Sequence, residues 1–274
     1  METYIKTKDY FLTGEQFQLK YKADLDMLVT TPQPENLHKY YQSDSYISHT
    51  DANKTLLDKV YSYVKKYTTY KKIRLLEHLN TSSKTILDIG AGTGEFLKVI
   101  SKKNWTTQGI EPNITARTIA ESKGVYLKNS ITEITTKSDV ITLWHVLEHL
   151  PDLDNQIKGF TRQLKKNGFL IIAVPNYKSY DANKYKSHWA AYDTPRHLWH
   201  FSQKSITKIF KPYGYTLTKT VPMYFDSFYV SILSEKYKHG RPNYFRAFLT
   251  GLVSNISAFF NGEYSSIIYV LQKR

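Results

Sequence analysis

Three glycines at two-residue steps, Gly90, Gly92 and Gly94 in ILDIGAGTGEFL (86–97), let a chain turn sharply and bring its backbone against a ligand with no Cβ between. A helix that follows such a turn offers unpaired N–H groups to a polar ligand. Asp88 leads the turn, and Glu111 stands 17 positions beyond Gly94, close to the interval that places a carboxylate on ribose hydroxyls. A dinucleotide and an adenosyl-sulfonium compound both answer to this spacing. The dinucleotide signature is GxGxxG, whereas this turn is the compressed GxGxG. A carboxylate ahead of the turn attracts an ammonium and a sulfonium, as in S-adenosylmethionine, and is slightly unfavourable to a pyrophosphate.

A second constellation is HVLEH, with His145, Glu148 and His149 spaced to share one helical face. It matches the H-x-x-E-H string of inverted zinc peptidases. That chemistry needs a helix holding both histidines and a downstream acidic ligand, but here Pro151 follows almost at once. A third is HWAAYDTPRHLWHF (188–201). Arg196 can pair with an anionic group or with Asp193. His197 has the side chain whose ordinary pKa suits a general base near neutrality. Trp189 and Trp199 could stack a sugar or an aromatic acceptor. The alternative is a self-contained plug, with Arg196 paired internally and the histidines on backbone carbonyls.

The elements that must position these residues alternate as in a doubly wound α/β fold. Thr85–Ile89 is a short apolar strand, and the helix after the glycines carries Phe96, Leu97 and Ile100. Thr106–Ile110 is the second strand, Asn113 caps a helix closed by Gly124, and 125–127 is a short third strand. Residues 139–143 form the fourth strand. The next helix presents Ile157, Phe160 and Leu164 and ends near Gly168. Residues 169–174 read as a strand buried on both faces. Strands at 215–221 and 266–272 complete the sheet. Ahead of it, Leu56, Leu57, Val60, Tyr61 and Val64 repeat at helical steps. The expected organisation is an N-terminal cap over 1–70, extended and aromatic and then helical. A main domain over 71–274 follows, with a lid insertion at about 176–204.

The chain has 274 residues, enough for one elaborated α/β domain. It has no cysteine, which excludes disulfides, thiolate metal sites and cysteine nucleophiles. The formal charge of +14 favours anionic partners, but the lysines are scattered and form no block, as on an ordinary solvated surface. No run reaches the roughly 18 apolar residues of a membrane span, and the first residues lack the apolar core of a signal peptide. A cytoplasmic protein is the expectation.

ILDIGAGTGEFL, GIEPN and DVITLWHVLEHLPD, in this order and spacing, resemble class I S-adenosylmethionine-dependent methyltransferases. They are most similar to the branch that includes ubiquinone-type O-methyltransferases and bacterial enzymes of unassigned substrate. The resemblance covers about residues 85–210. It implies a Rossmann-like seven-stranded sheet, mostly parallel with the last strand antiparallel, and helices on both faces. It implies that Asp88, Gly90 and Gly92 line the methionine part of S-adenosylmethionine, with Ala91 and Gly94 in the same turn. Glu111, beside Pro112, would bind the ribose, Asn129 and Ser130 the adenine, and Trp144 and His145 would flank the cofactor. YISHTD, with Tyr46, resembles the segment that covers it. Relatives carry paired cysteines upstream, which this chain lacks. Some use a Glu-x-x-Glu-His cluster to hold a divalent cation; here His145 takes the place of the first Glu. No metal is expected, and the residues that could hold one are His145, Glu148 and His149. The reaction implied is O-methylation of a small-molecule or glycan acceptor, leaving S-adenosylhomocysteine, with His197, His145 and Arg196 as catalytic candidates. The alternatives are an RNA 2′-O-methyltransferase, a cofactor-binding protein without turnover and a nucleotide-dependent oxidoreductase. A nucleic acid partner is not favoured, because no RNA-binding module is recognisable.

Overall fold

The computed structural model describes residues 1–41 and 56–274, with the backbone alone for 56–61. Tyr46 and the YISHTD segment lie outside the described residues. In chain order the strands begin with β1 (Glu2–Lys8), β2 (Gln16–Lys22), β3 (Met27–Thr31), β4 (Thr85–Ile89) and β5 (Thr106–Ile110). They continue with β6 (Ser138–Trp144), β7 (Leu164–Pro175), β8 (Trp199–His200), β9 (Tyr215–Pro222) and β10 (Ser266–Lys273). The helices are α1 (Leu56–Glu77), α2 (Glu95–Ser101), α3 (Ile114–Ser122) and α4 (Leu153–Gln163). Then come α5 (Tyr180–Tyr185), α6 (Gln203–Phe210), α7 (Asp226–His239) and α8 (Tyr244–Asn261). One sheet has the order β1-β2-β3-β8 and the other the order β5-β4-β6-β7-β10-β9. Two compact units divide the chain: the first holds residues 1–42, 143–161 and 171–274, and the second 43–142 and 162–170.

In the second unit β4 and β5 pair in parallel from Thr85↔Thr106 to Ile89↔Ile110. Ile86, Leu87 and Ile110 are buried, as befits strands covered on both sides. Asp139 anchors the start of β4. Its carboxylate accepts from the hydroxyls of Ser82, Ser83 and Thr85 at 2.7, 2.9 and 2.8 Å and from the Thr85 N–H at 2.9 Å. Burial alone would raise its pKa, but these donors outweigh it and hold the carboxyl well below the usual range.

Two sequence expectations need correction here. The third strand, 125–127, is absent; among the described residues the sheet has six strands rather than seven. The Val125 N–H is spent on the Ala120 carbonyl at 3.0 Å as α3 ends. Pairing to β5 survives only at Lys128, which bridges Ile110. The helix expected to run to Gly168 stops at Gln163, and β7 begins at once. Gly168 is a point of close approach, where a Cβ would sit 2.8 Å from the Asp139 carbonyl oxygen.

In the first unit, period-two alternation in the N-terminal residues produces β1 and β2, joined by a turn that Asp9 closes. The Asp9 carboxylate accepts the N–H groups of Phe11, Leu12 and Thr13 at 3.0, 3.2 and 3.0 Å. Leu28 and Val29 of β3 stand opposite His200 and Trp199 of β8. Much of the 176–204 stretch is therefore core: Tyr177, Tyr185, Trp189 and Tyr192 cluster with Leu19 and Leu28. Trp189 is buried and donates its indole N–H to Asp181 at 2.7 Å, so it offers no stacking platform. Between β9 and β10 the chain forms an αα-hairpin, α7 and α8, which the strand pattern did not announce.

Candidate functional site

The second unit holds the glycine turn. Gly90, Gly92 and Gly94 all have positive φ (70°, 55° and 72°), backbone that side chains with a Cβ rarely adopt. Ile110 ties the turn to β5 by accepting from Gly90 and Ala91 at 2.8 and 2.9 Å. A Cβ at Gly94 would meet Val125 at 3.0 Å, so that glycine serves packing. At Gly92 a Cβ would meet nothing within 4 Å, which leaves open space beside the backbone. Glu111 clasps the turn: one carboxylate oxygen accepts from Gly92 N–H and the other from Asn113 N–H, both at 2.9 Å. Asp88 is buried and accepts the Thr142 hydroxyl at 2.6 Å. Burial pushes its pKa up to about 7, against the pull of that hydroxyl.

Asn129 and Ser130 follow the Lys128 bridge, and both of their N–H groups donate to Glu133 at 3.1 Å. Ser130 closes a capping box on residues 131–133, so its hydroxyl has a structural occupation. Asn129 presents its side-chain oxygen to Arg117 at 3.1 Å. Arg117 also donates to the carbonyls of Glu111 and Pro112 at 2.6 and 2.8 Å. It braces both loops that the resemblance assigns to ribose and adenine. Sequence reasoning passed over it, because nothing in its surroundings marks it from the chain's other cations.

The first unit holds the other candidates. Trp144 ends β6, and His145 follows with φ +56°, its N–H donating to Ala173 at 2.9 Å. Its Nδ1 lies 3.4 Å from Glu148 and its Nε2 lies 3.2 Å from Asp226, the first residue of α7. Burial opposes the imidazolium, but Asp226 and Glu148 together overcome it and raise the pKa to about 10. A ring facing a carboxylate at each nitrogen needs both protons, so His145 cannot accept one near neutrality. Asp226 lies 81 positions downstream, outside any motif.

Arg196 is buried and donates through Nε to Asp193 at 3.0 Å and through Nη1 to the Tyr40 carbonyl at 3.2 Å. Its Nη2 reaches Asp9 and Asp193 at 2.9 and 2.7 Å. The guanidinium thus locks the 193–197 turn to β1–β2, with Nε, Nη1 and Nη2 all donating to protein acceptors. His197 donates Nδ1–H to the Ala191 carbonyl at 2.9 Å, because a carbonyl can only accept. Its Nε2 faces the Asp193 carboxylate at 4.0 Å. His149 places Nδ1 3.1 Å from the Arg196 carbonyl and 3.0 Å from the Tyr41 hydroxyl. Burial lowers its pKa to about 4, so it is neutral.

Glu148, His149 and His197 each offer a ligand atom, all within 4.8 Å of one another. Apart from His145 at 3.4 Å, the carboxylate oxygens of Glu148 take no hydrogen bond from a described residue. The cation candidates therefore shift: His197 joins Glu148 and His149, while His145 is held by Asp226. One carboxylate and two imidazoles suit zinc or iron better than magnesium. Against a dication stands the imidazolium of His145 beside the same carboxylate. The fit is partial.

The family described as "Methyltransferase domain" matches residues 62–220, more than half of the chain. Ubiquinone biosynthesis O-methyltransferase of Rickettsia felis is 31% identical over 113 residues, 38% of this chain and 46% of that protein. The protein of the same name from Pseudomonas fluorescens is 27% identical over 111 residues, covering 36% and 48%. This chain spans about half the length of the curated relatives it matches. Among solved structures, magnesium protoporphyrin IX methyltransferase of Synechocystis PCC 6803 with bound S-adenosylmethionine has a TM-score of 0.54 at 13% identity, covering 86% of this chain and 94% of that one. Its complex with S-adenosylhomocysteine gives 0.57 at 14%, covering 86% and 97%. At such identity the likeness is one of fold. The sheet order, the glycine turn and the match over residues 62–220 agree: the chain belongs to the methyltransferase-domain family and has the class I S-adenosylmethionine-dependent methyltransferase fold.

Proposed function

We propose that this protein transfers a methyl group from S-adenosylmethionine to an oxygen of a small-molecule acceptor. The observation that carries the reading is the glycine turn with a carboxylate on either side in sequence, Asp88 and Glu111, and open space at Gly92. Asp88 suits the ammonium of the methionine part, and Glu111, already drawn to the turn, suits the ribose hydroxyls. The cofactor supplies an activated methyl group, so the chain has mainly to align the acceptor and take one proton from it. Nε2 of His197 is the group assigned to that proton, since His145 is already charged. Oxygen as the receiving atom is supported by the relatives, which are named as O-methyltransferases.

The test is transfer of labelled methyl from S-adenosylmethionine to a panel of catechols, quinols, sugars and short RNAs, with S-adenosylhomocysteine measured as product. Turnover confined to phenolic hydroxyls supports the reading. Tight cofactor binding with no product across the panel would replace it with a binding protein. Because His145 already offsets the charge of Glu148, chelation with EDTA leaves the rate unchanged. A loss restored by zinc would instead assign a cation to Glu148, His149 and His197.

A further inference from the structure

Helix α8 is built inside out. Phe245, Phe259 and Phe260 are 72, 77 and 82% exposed, and Phe248, Leu252 and Ile256 are 56, 40 and 51% exposed. Their spacing, at three- and four-residue steps, puts them on one face. The face turned to the protein carries small residues: Ala247, Gly251, Ser254 and Ala258 are buried. At Gly251 the approach of α7 is so close that a Cβ would sit 2.5 Å from the Phe228 ring. A helix that only had to complete this unit would bury its large side chains and expose its small ones. Here six large apolar side chains stand in water as one contiguous stripe, the mark of a surface meant to be covered.

We propose that α8 docks this protein on an anionic lipid surface, lying in the plane of the interface with its stripe toward the acyl chains. The charge around the stripe selects this occupant. From Lys236 to Gly262 there is no acidic residue, while Lys236, Lys238, Arg241 and Arg246 are all exposed. The nearest carboxylates bordering this stretch are Glu235, which is buried, and Glu263, which accepts from Asn176 at 2.7 Å, so the exposed charge beside the apolar face is cationic and complements anionic headgroups. A second copy of the chain would bring cations to the same contact and no carboxylate to meet them. Tyr229 and Tyr244 are also exposed in the same hairpin, and Tyr224 just ahead of it, side chains that place a ring in the interface and a hydroxyl in water. No helix among the described residues is long and apolar enough to cross a membrane. With 18 residues, α8 reaches about 27 Å along such a surface. This inference is independent of the methyl-transfer reading.

The experiment is flotation of the whole protein with vesicles of equal phosphatidylglycerol and phosphatidylcholine, and with phosphatidylcholine alone. The expected result is at least tenfold stronger partitioning onto the anionic vesicles, weakened by added salt. Phe248→Ser with Phe259→Ser and Phe260→Ser should lower it at least tenfold, with circular dichroism confirming the fold. A gain-of-signal variant, Phe259→Trp, guards against a triple variant that does not fold: its fluorescence should be quenched by brominated lipid only when the vesicles are anionic. Equal binding to both vesicles, binding that survives the triple change in a folded protein, or no quenching at position 259 overturns the proposal. So does a dimer by light scattering that the triple change dissolves, with no vesicle binding, for then the stripe belongs to a second copy.

Discussion

Asparagine in place of Asp88 keeps an acceptor for the Thr142 hydroxyl and removes the buried charge beneath the glycine turn. In the native protein burial holds Asp88 at about 7, so its charge varies across the ordinary working range. A ligand ammonium is drawn to the ionised form only. That form is about nine-tenths of the population at pH 8 and about one-tenth at pH 6, so the Kd for S-adenosylhomocysteine rises about tenfold, or about 1.4 kcal/mol, between them. His149 at about 4 and His145 at about 10 keep their charge states through this window. Stability runs the opposite way. The unfolded carboxyl ionises near its ordinary value of about 4, well before the folded one, so the folded protein loses about 1.4 kcal/mol per pH unit from there to about 7. Above pH 7 that cost is complete, at up to about 4 kcal/mol. Asp88→Asn escapes it. The variant without ligand therefore melts higher than the native protein at pH 8 while binding S-adenosylhomocysteine more weakly. Calorimetric titration at pH 6, 7 and 8 on both proteins reads the effect. A flat native profile, or a slope that persists in Asp88→Asn, refutes the assignment.

Glu111→Ala frees the Gly92 N–H and weakens S-adenosylhomocysteine binding by about 1–3 kcal/mol, the cost of leaving polar ligand groups without a partner; unchanged calorimetric affinity would remove Glu111 from the site. Arg196→Ala leaves the buried Asp9 carboxylate without its cation and destabilises the fold by about 3–5 kcal/mol, measured by urea unfolding. An unshifted midpoint would mean that the Asp9–Arg196–Asp193 set carries no stability. His197→Ala lowers the methyl-transfer rate by about 10²–10⁴-fold while sparing cofactor affinity; an unaltered rate means another group takes the proton.

Strands whose faces are both buried were legible because their composition alone marks them: β4 and the apolar half of β7 fall where the runs of Ile, Leu and Val put them. Misreadings occurred where one residue could serve two neighbours. Val125 looks like strand but gives its N–H to the end of α3. Gly168 looks like a helix stop but is a close backbone approach. The α7–α8 hairpin escaped because α8 turns its small residues inward and its large ones outward, the inverse of the pattern by which an amphipathic helix is recognised.

The same division runs through the site. Gly92 and Glu111 were legible because both sit in the strand-turn-helix repeat, where a short chain interval fixes their distance. Arg196 and His145 were not, because each takes its character from a partner far off in the chain. Asp193 at three residues from Arg196 is visible in the sequence, but it is Asp9, 187 residues away, that completes its burial and removes it from chemistry. Likewise Glu148 alone beside His145 would leave one ring nitrogen free to take a proton. Asp226 occupies that second nitrogen and converts the ring into a fixed cation. The base role proposed above therefore rests on His197, whose Nδ1 is bound to a backbone carbonyl.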